Sequence, residues 1–209
     1  MLETLLVAFT TFFATIGPPD VTALFAAMTT HNSTAERRIM AAKGTLIGGG
    51  ILIVFALAGD PLLALFGISL AALRAAGGVL LLLIAIDMVF ARGSGGTSTT
   101  DEETREGIQK ADISVFPLAT PLIAGPGAIG AAILLVAGAE GDPAGIALVL
   151  CGLAAVLALT FVLMLLASQV QRILGVTGLH VITRVMGVLL AALAVQFIFD
   201  GIRESGLLG

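Results

Sequence analysis

The chain has 209 residues, of which 58% are hydrophobic and only 11% are charged. In a typical soluble domain, roughly a quarter of the residues are charged. A helix needs roughly 20 apolar residues to cross the hydrocarbon core of a bilayer, and several stretches here reach that length, which excludes a soluble domain. The net charge of -4 points to no particular partner, and nothing suggests nucleic acid. The sequence predicts an all-α integral membrane protein with a single membrane domain, residues 1–209.

Six transmembrane helices are predicted in chain order. They cover residues 5–28, 44–58, 73–90, 115–138, 144–167 and 185–199. The first is interrupted at Gly17-Pro18-Pro19-Asp20, and the second ends at Ala58, or at Phe66 if the turn signal Gly59-Asp60-Pro61 does not stop it. Residues 92–112 are rich in Gly, Ser, Thr and charge, which indicates a loop.

The distribution of Lys and Arg predicts the orientation. With the N-terminus outside, eight of the ten basic residues fall on the cytoplasmic side, and only Arg74 and Arg203 fall outside. This bias follows the positive-inside rule. We therefore expect a multi-pass protein of the cell (inner) membrane, with both termini outside and the 92–112 loop in the cytoplasm.

The two halves of the chain, about residues 1–91 and 113–209, resemble each other. The first span of each carries a Gly-Pro break, and the third opens with a Gly-led turn followed by Arg and Gly. The matching sets are Gly17-Pro18, Gly67-Ile68-Ser69, Arg74 and Gly77 in the first half, and Gly125-Pro126, Gly175-Val176-Thr177, Arg184 and Gly187 in the second. Three spans per half predict two inverted three-helix repeats; the alternative is chance similarity between Gly-rich helices.

The two helix breaks predict a substrate site. The N–H groups at the start of a half-helix carry partial positive charge, which suits a carboxylate, and a break is tolerated in hydrocarbon only where it is buried or lines a wet cavity. The alternative is a pair of kinks that aid packing. The candidate substrate-binding residues are Gly17, Pro18, Pro19, Asp20, Thr22, Thr120, Pro121, Gly125, Pro126 and Gly127.

Three charged residues lie in or near the spans. Asp20 is the acid in the middle of a predicted span, where it could bind an ammonium group or a coupling cation, or cap the following half-helix. Arg74 and Arg184 are predicted near helix starts, as gating residues or partners of a substrate carboxylate. Arg74 could instead pair with Asp60, and both arginines could simply reach the interface.

An enzymatic function is not expected. His31 and His180 are the two histidines, there is no spacing typical of metal ligands, and no nucleophile lies near a base. We therefore expect no catalytic residues, no metal and no cofactor.

An ordered set of motifs along nearly the whole chain resembles the MarC family of bacterial and archaeal inner-membrane proteins. The motifs are Ser33-x-x-Glu36-Arg37-Arg38, Phe66-Gly67-Ile68-Ser69, Arg74-Ala75-Ala76-Gly77-Gly78, Ile84-Ala85-Ile86-Asp87-Met88, Phe116-Pro117-Leu118-Ala119-Thr120-Pro121, Ala124-Gly125-Pro126-Gly127-Ala128-Ile129, Arg184-Val185-Met186-Gly187 and Ala194-Val195-Gln196-Phe197-Ile198. The family commonly shows Asp or Asn before the first-span Pro. Here the acid follows the prolines, at Asp20.

The resemblance implies six spans, a relation to the lysine-exporter superfamily, and transport of small neutral amino acids in at least part of the family. The leading hypothesis is therefore a secondary transporter of glycine or alanine type, driven by a proton or sodium gradient, since no nucleotide-binding motif is present. The partners would be the lipid bilayer, the small-molecule substrate and the coupling ion. The sequence is compatible with either a monomer or an oligomer. The alternatives are an exporter of another small solute or ion, and a non-transport membrane scaffold.

Overall fold

The computed structural model describes residues 1–90 and 112–206, which form seven α-helices and one irregular helical segment and contain no strand. The helices are α1 (Leu2–Ile16), α2 (Pro18–Met28), α3 (Thr34–Phe66), α4 (Leu70–Phe90), α5 (Pro126–Ala137), α6 (Pro143–Leu165) and α7 (Ala167–Glu204). The irregular segment, Ser114–Ile123, precedes α5. The predicted 92–112 loop lies outside the described residues except for Asp112.

The described part has five stretches long and apolar enough to cross a membrane, and a sixth when the irregular segment and α5 count as one bent span. The stretches are Leu2–Met28, Thr34–Gly59, Leu70–Phe90, Pro143–Leu165 and Val181–Glu204. The irregular segment and α5 meet at an angle of 56°. The all-helical, multi-span prediction is confirmed at this level.

Short polar signals set the helix ends. Ser33 accepts a hydrogen bond from the N–H of Glu36, whose carboxylate accepts from the N–H of Ser33, so α3 begins with a capping box. Gly67, with φ 66°, ends α3 in the left-handed conformation that glycine adopts without steric cost. Asp142 caps α6 by accepting from the N–H groups of Ala144 and Gly145.

Helix α3 follows the longer of its two predicted courses, and one predicted turn elsewhere is absent. The signal Gly59-Asp60-Pro61 does not end α3, which continues to Phe66 with Pro61 inside the helix. The predicted Gly-led turn at Gly175-Val176-Thr177 is wrong, because α7 runs without a break from Ala167 to Glu204. A single glycine in a helix interior costs only about 1 kcal/mol relative to alanine, which packing of a long helix readily offsets.

The buried side chains form two clusters. The larger lies among α1, α2, α3, α5, α6 and the irregular segment, which we call the main bundle. The smaller lies mostly between α4 and α7, which we call the α4–α7 pair, and takes in Ala14 of α1. The pair is antiparallel and close: a Cβ on Gly78 would lie 2.6 Å from the carbonyl oxygen of Ala194, and one on Gly201 would lie 2.7 Å from that of Ala71.

Glycines also allow close packing inside the main bundle. A Cβ on Gly44 of α3 would lie 2.4 Å from the Leu118 side chain in the irregular segment. A Cβ on Gly152 of α6 would lie 2.9 Å from that of Ala8 in α1. The second span of each half therefore packs against the first span of the other half.

Large apolar side chains cover the lateral surface. On α4, Val79, Leu80 and Leu83 are about half exposed, and on α7 Val185 and Val188 are exposed to a similar extent. In water such a surface would drive aggregation. In a bilayer the same side chains contact acyl chains, in keeping with an integral membrane protein.

Candidate functional site

The first span is interrupted at Gly17, which has φ 63° and ψ 60° and separates α1 from α2. The N–H groups of Asp20 and Val21 both donate to the carbonyl oxygen of Gly17, and Pro18 and Pro19 have no N–H. The N–H of Gly17 donates to Phe13. The start of α2 therefore offers an anion the field of the helix dipole but not the free N–H donors that the sequence suggested.

The carboxylate of Asp20 joins α2 to α7. Thr183 donates a hydrogen bond of 2.7 Å from its hydroxyl to Oδ1 of Asp20. The other oxygen, Oδ2, lies 3.3 Å from where a Cβ on Gly17 would be, so a side chain at that position would crowd the carboxylate. Asp20 is half-buried, and its hydrogen bond makes Thr183 a site residue that the sequence did not reveal.

A crevice surrounds this hydrogen bond, which we call the Asp20 crevice. It is lined by Phe13, Gly17, Pro19, Asp20, Met88, Ile182, Thr183 and Met186 and is too narrow to hold a water molecule. One wall comes from α1 and α2, and the other from the α4–α7 pair. The boundary between the main bundle and this pair is therefore closed at Asp20.

The second interruption, near Gly125, has a different construction. In the irregular segment the N–H of Leu118 donates to Ile113, and that of Ala124 to Ala119, five residues back in each case. Helix α5 then begins at Pro126 with no side-chain cap. By helix geometry the N–H groups of Gly127 and Ala128 have no acceptor within the helix, and both residues are buried. This helix start, unlike that of α2, keeps donors for an anion.

The remaining candidates near the breaks are placed as follows. The hydroxyl of Thr22 is buried and donates to the carbonyl oxygen of Pro18 at 2.6 Å, within its own helix. Thr120 has an extended backbone and is half-buried, as is Pro121. Pro18 is buried, whereas Pro126 is exposed. The ring of Pro126 therefore lies away from the interior that contains the rest of its break.

The two arginines are in different environments. Arg74, near the start of α4, forms an ion pair with Glu204 at the end of α7. Its side chain is only 18% exposed. Arg184 is exposed in the middle of α7, so its predicted position near a helix start is wrong. The reason is that α7 begins at Ala167, well before the apolar stretch that defined the predicted span.

Arg74 also lines a cleft, which we call the Arg74 cleft. It has a volume of about 490 Å³. Its lining residues are Glu3, Thr4, Val7, Arg74, Leu134, Leu135, Gly138, Ala139, Asp142, Gly145, Val149, Phe197 and Asp200. Like the Asp20 crevice, it lies where the main bundle meets the α4–α7 pair. Among the described residues, no group of three or more His, Cys, Asp or Glu side chains could hold a metal ion.

Comparison with known proteins gives consistent matches along the chain. The profile of the "MarC family integral membrane protein" matches residues 2–205. The UPF0056 membrane protein YvbG of Bacillus subtilis is 38% identical over 93% of this chain and 92% of its own. The corresponding proteins of Archaeoglobus fulgidus (36% identity; 95% and 92%) and Escherichia coli (YhcE, 35%; 91% and 88%) are similar over comparable lengths. No solved structure matches.

Proposed function

Because the chain belongs to the MarC family of integral membrane proteins, we propose that it is a secondary transporter of small neutral amino acids such as glycine and alanine, and not an enzyme. The observation that carries the proposal is the carboxylate of Asp20, held at the interrupted first span by Thr183 of α7. An ionisable side chain within a membrane span is costly and usually serves transport of an ion or substrate.

The two helix interruptions suit the two charged ends of an amino acid. The carboxylate of Asp20 can attract the substrate ammonium group or a coupling proton or sodium ion. The buried, uncapped start of α5, with the N–H groups of Gly127 and Ala128, can accept the substrate carboxylate. Gly17 and Gly125 are both buried at their interruptions, so a substrate bound there would lie between broken helices.

The closed Asp20 crevice requires a movement during transport. The hydrogen bond between Thr183 and Asp20 crosses the boundary between the main bundle and the α4–α7 pair. Separation of these two units would break that bond and open the crevice. The boundary is also where the Arg74 cleft lies, so one relative movement could expose the centre to one side of the membrane at a time.

The packing supports an inverted-repeat plan. Gly44 of α3 lies against the first span of the second half, and Gly152 of α6 lies against the first span of the first half. The third spans, α4 and α7, pack against each other in antiparallel. Such reciprocal contacts are what a pseudo-two-fold axis in the membrane plane produces. With the positive-inside bias, we propose that both termini lie outside the inner membrane and that residues 92–112 lie in the cytoplasm.

The test is uptake of radiolabelled glycine and alanine into proteoliposomes under a proton gradient and a sodium gradient imposed separately. We expect saturable uptake that one of the two gradients stimulates, and that Asp20→Asn abolishes. Arg38→Gln, an exposed change near the start of α3, is the matched control. Uptake equal to that of protein-free liposomes for glycine, alanine and serine under both gradients would refute the proposal and favour a scaffold or another solute.

A further inference from the structure

The Arg74 cleft combines one partly buried cation with several acids. Arg74 pairs with Glu204, and its Nη2 lies 3.3 Å from where a Cβ on Gly138 would be, at the end of α5. The partial negative charge at a helix C-terminus attracts a guanidinium. Arg74 is therefore held over the cleft by a carboxylate and by a helix end at the same time.

The acids of the cleft are not equivalent. Asp142 accepts the N–H groups that begin α6, and Asp200 accepts from Gln196 and Arg203. Glu3, in the first turn of α1, forms no hydrogen bond or ion pair within the described part of the chain. The cleft is thus lined by one cation, Arg74, and by an acid, Glu3, whose carboxylate does not stabilise the fold through a hydrogen bond or ion pair in the described part of the chain.

The position of the Arg74–Glu204 ion pair allows a ligand carboxylate to replace that of Glu204. The two partners belong to neighbouring helix ends, and the side chain of Glu204 is 38% exposed. A carboxylate from solution can replace that of Glu204 on the guanidinium, which binds carboxylates in a planar, bidentate manner. Glu204 then returns to solvent, where its charge needs no other partner.

We propose that the Arg74 cleft is an external binding site for an α-amino acid, whose carboxylate displaces Glu204 from Arg74 while its ammonium group lies towards Glu3. The inference rests on the proposed function, and it adds an entry site distinct from the centre. Val7 lines the Arg74 cleft and Phe13 lines the Asp20 crevice, so about 9 Å of α1 separates the nearest lining residues of the two at 1.5 Å per residue.

The absence of Trp and Tyr from the chain allows a direct binding measurement. Phe197→Trp places a single indole at the wall of the cleft, and Phe199→Trp, an exposed position two residues away, is the matched control. Purified protein is titrated with glycine, with acetate and with methylamine. We expect saturable quenching by glycine in Phe197→Trp and no response in Phe199→Trp, with weaker binding of acetate and methylamine because each carries only one of the two charges.

Second-site changes in the Phe197→Trp background identify the residues that bind. Arg74→Gln combined with Glu204→Gln removes both partners without leaving a lone charge, and should weaken glycine binding at least about tenfold, the factor that ~1.4 kcal/mol gives. Glu204→Gln alone should tighten binding, because it removes the competing carboxylate. Arg38→Gln, which removes an exposed cation near the start of α3 and away from the cleft, should leave the dissociation constant unchanged.

Transport by the same proteins separates the two proposals. One outcome would overturn the cleft site and leave the transport function standing. In it, glycine is taken up, glycine does not quench the fluorescence of Phe197→Trp, and the KM of Arg74→Gln/Glu204→Gln equals that of wild type. Quenching that depends on Arg74 without any uptake would support the cleft site and refute the transport function. Should Phe197→Trp not fold, the KM comparison with native Phe197 decides alone.

Discussion

Thr183 of α7 donates a 2.7 Å hydrogen bond to the carboxylate of Asp20 in α2, across 163 positions of sequence. The contact joins the main bundle to the α4–α7 pair at the interruption of the first span. It is the polar link in a crevice otherwise walled by apolar residues and prolines. Any movement that opens the crevice must break this hydrogen bond, so substitutions of Asp20 or Thr183 should affect both stability and transport.

Replacement of Thr183 tests this link. Thr183→Val keeps the shape of the side chain and removes the donor, whereas Thr183→Ser keeps the donor. Hydrogen bonds between membrane helices contribute about 1 kcal/mol, so Thr183→Val should lower the melting temperature by about 2–4 °C and Thr183→Ser should not. Thermal unfolding in detergent measures both. Equal melting of the two variants would mean that the bond does not stabilise the closed form.

Replacement of Asp20 separates charge from capping. Asp20→Asn preserves most of the hydrogen-bonding ability and removes the charge, so it should insert and melt like wild type but lose gradient-driven uptake. Asp20→Leu should also lose stability, because it leaves the Thr183 hydroxyl without its acceptor. Proteoliposome uptake and detergent melting are measured side by side. Wild-type uptake by Asp20→Asn, with unchanged dependence on pH and sodium, would reduce Asp20 to a structural role.

The sequence predicted the features that depend on local composition. Long apolar runs located the spans, and Gly17-Pro18 located the boundary between α1 and α2, because proline has no N–H and favours the first turn of a helix. The length of α7 was underestimated, since hydropathy detects only the part that is apolar enough to span. Residues 175–177 belong to that helix although their composition suggested a turn.

The partners of charged residues could not be predicted. Arg74 pairs with Glu204 and Asp20 with Thr183, at separations of 130 and 163 residues. Both contacts depend on the antiparallel packing of α4 against α7 and on the position of that pair beside the main bundle. Hydropathy and motif spacing carry no information on which helices are neighbours, so Asp60 was one of the alternatives for Arg74 and Glu204 was not among them.

The proposed topology is tested by labelling single cysteines in a Cys151→Ala background. A membrane-impermeant maleimide should label Ser205→Cys in intact cells, and should label Asn32→Cys and Ser98→Cys only after the membrane is permeabilised. The expectation follows from the excess of Lys and Arg on one side. Labelling of Ser98→Cys in intact cells, with Ser205→Cys protected, would invert the orientation.

Asp112, before the irregular segment, predicts a pH dependence of stability. The hydroxyl and N–H of Ser114 donate to its carboxylate, and Nζ of Lys43 lies 3.5 Å from Oδ2 of that carboxylate. The pKa of Asp112 lies below its usual value, and the hydrogen bonds from Ser114 are the main cause. A lowered pKa stabilises the fold above the unfolded pKa, about 3.9, and the contribution is lost as the pH falls through the folded pKa. The melting difference between wild type and Asp112→Asn should therefore be constant from pH 7 to about 4 and shrink at lower pH.

The control for this measurement is Lys43→Gln, which removes the cation and leaves both hydrogen bonds from Ser114. Because the side chains of Lys43 and Asp112 are both more than half exposed, solvent screens their attraction. The effect of Asp112→Asn on the melting temperature should therefore depend on pH in the same way in the Lys43→Gln background as in wild type. A profile in which Lys43→Gln abolishes the effect would assign it to the ion pair and not to Ser114.

The contact between α4 and α7 at Gly78 tests the packing of the α4–α7 pair. A Cβ at this position would lie 2.6 Å from the carbonyl oxygen of Ala194 and 2.9 Å from the backbone nitrogen of Ile198, and backbone atoms cannot move aside as the end of a side chain can. Gly78→Ala should therefore separate the two helices and destabilise the protein by about 1–3 kcal/mol.

Gly50→Ala, in α3, is the matched control, because no atom lies within 4 Å of its added Cβ. It should be neutral or slightly stabilising, because alanine has a higher helix propensity than glycine. Melting in detergent gives the stability. Equal melting of Gly78→Ala and Gly50→Ala would show that α4 and α7 are not packed through this glycine.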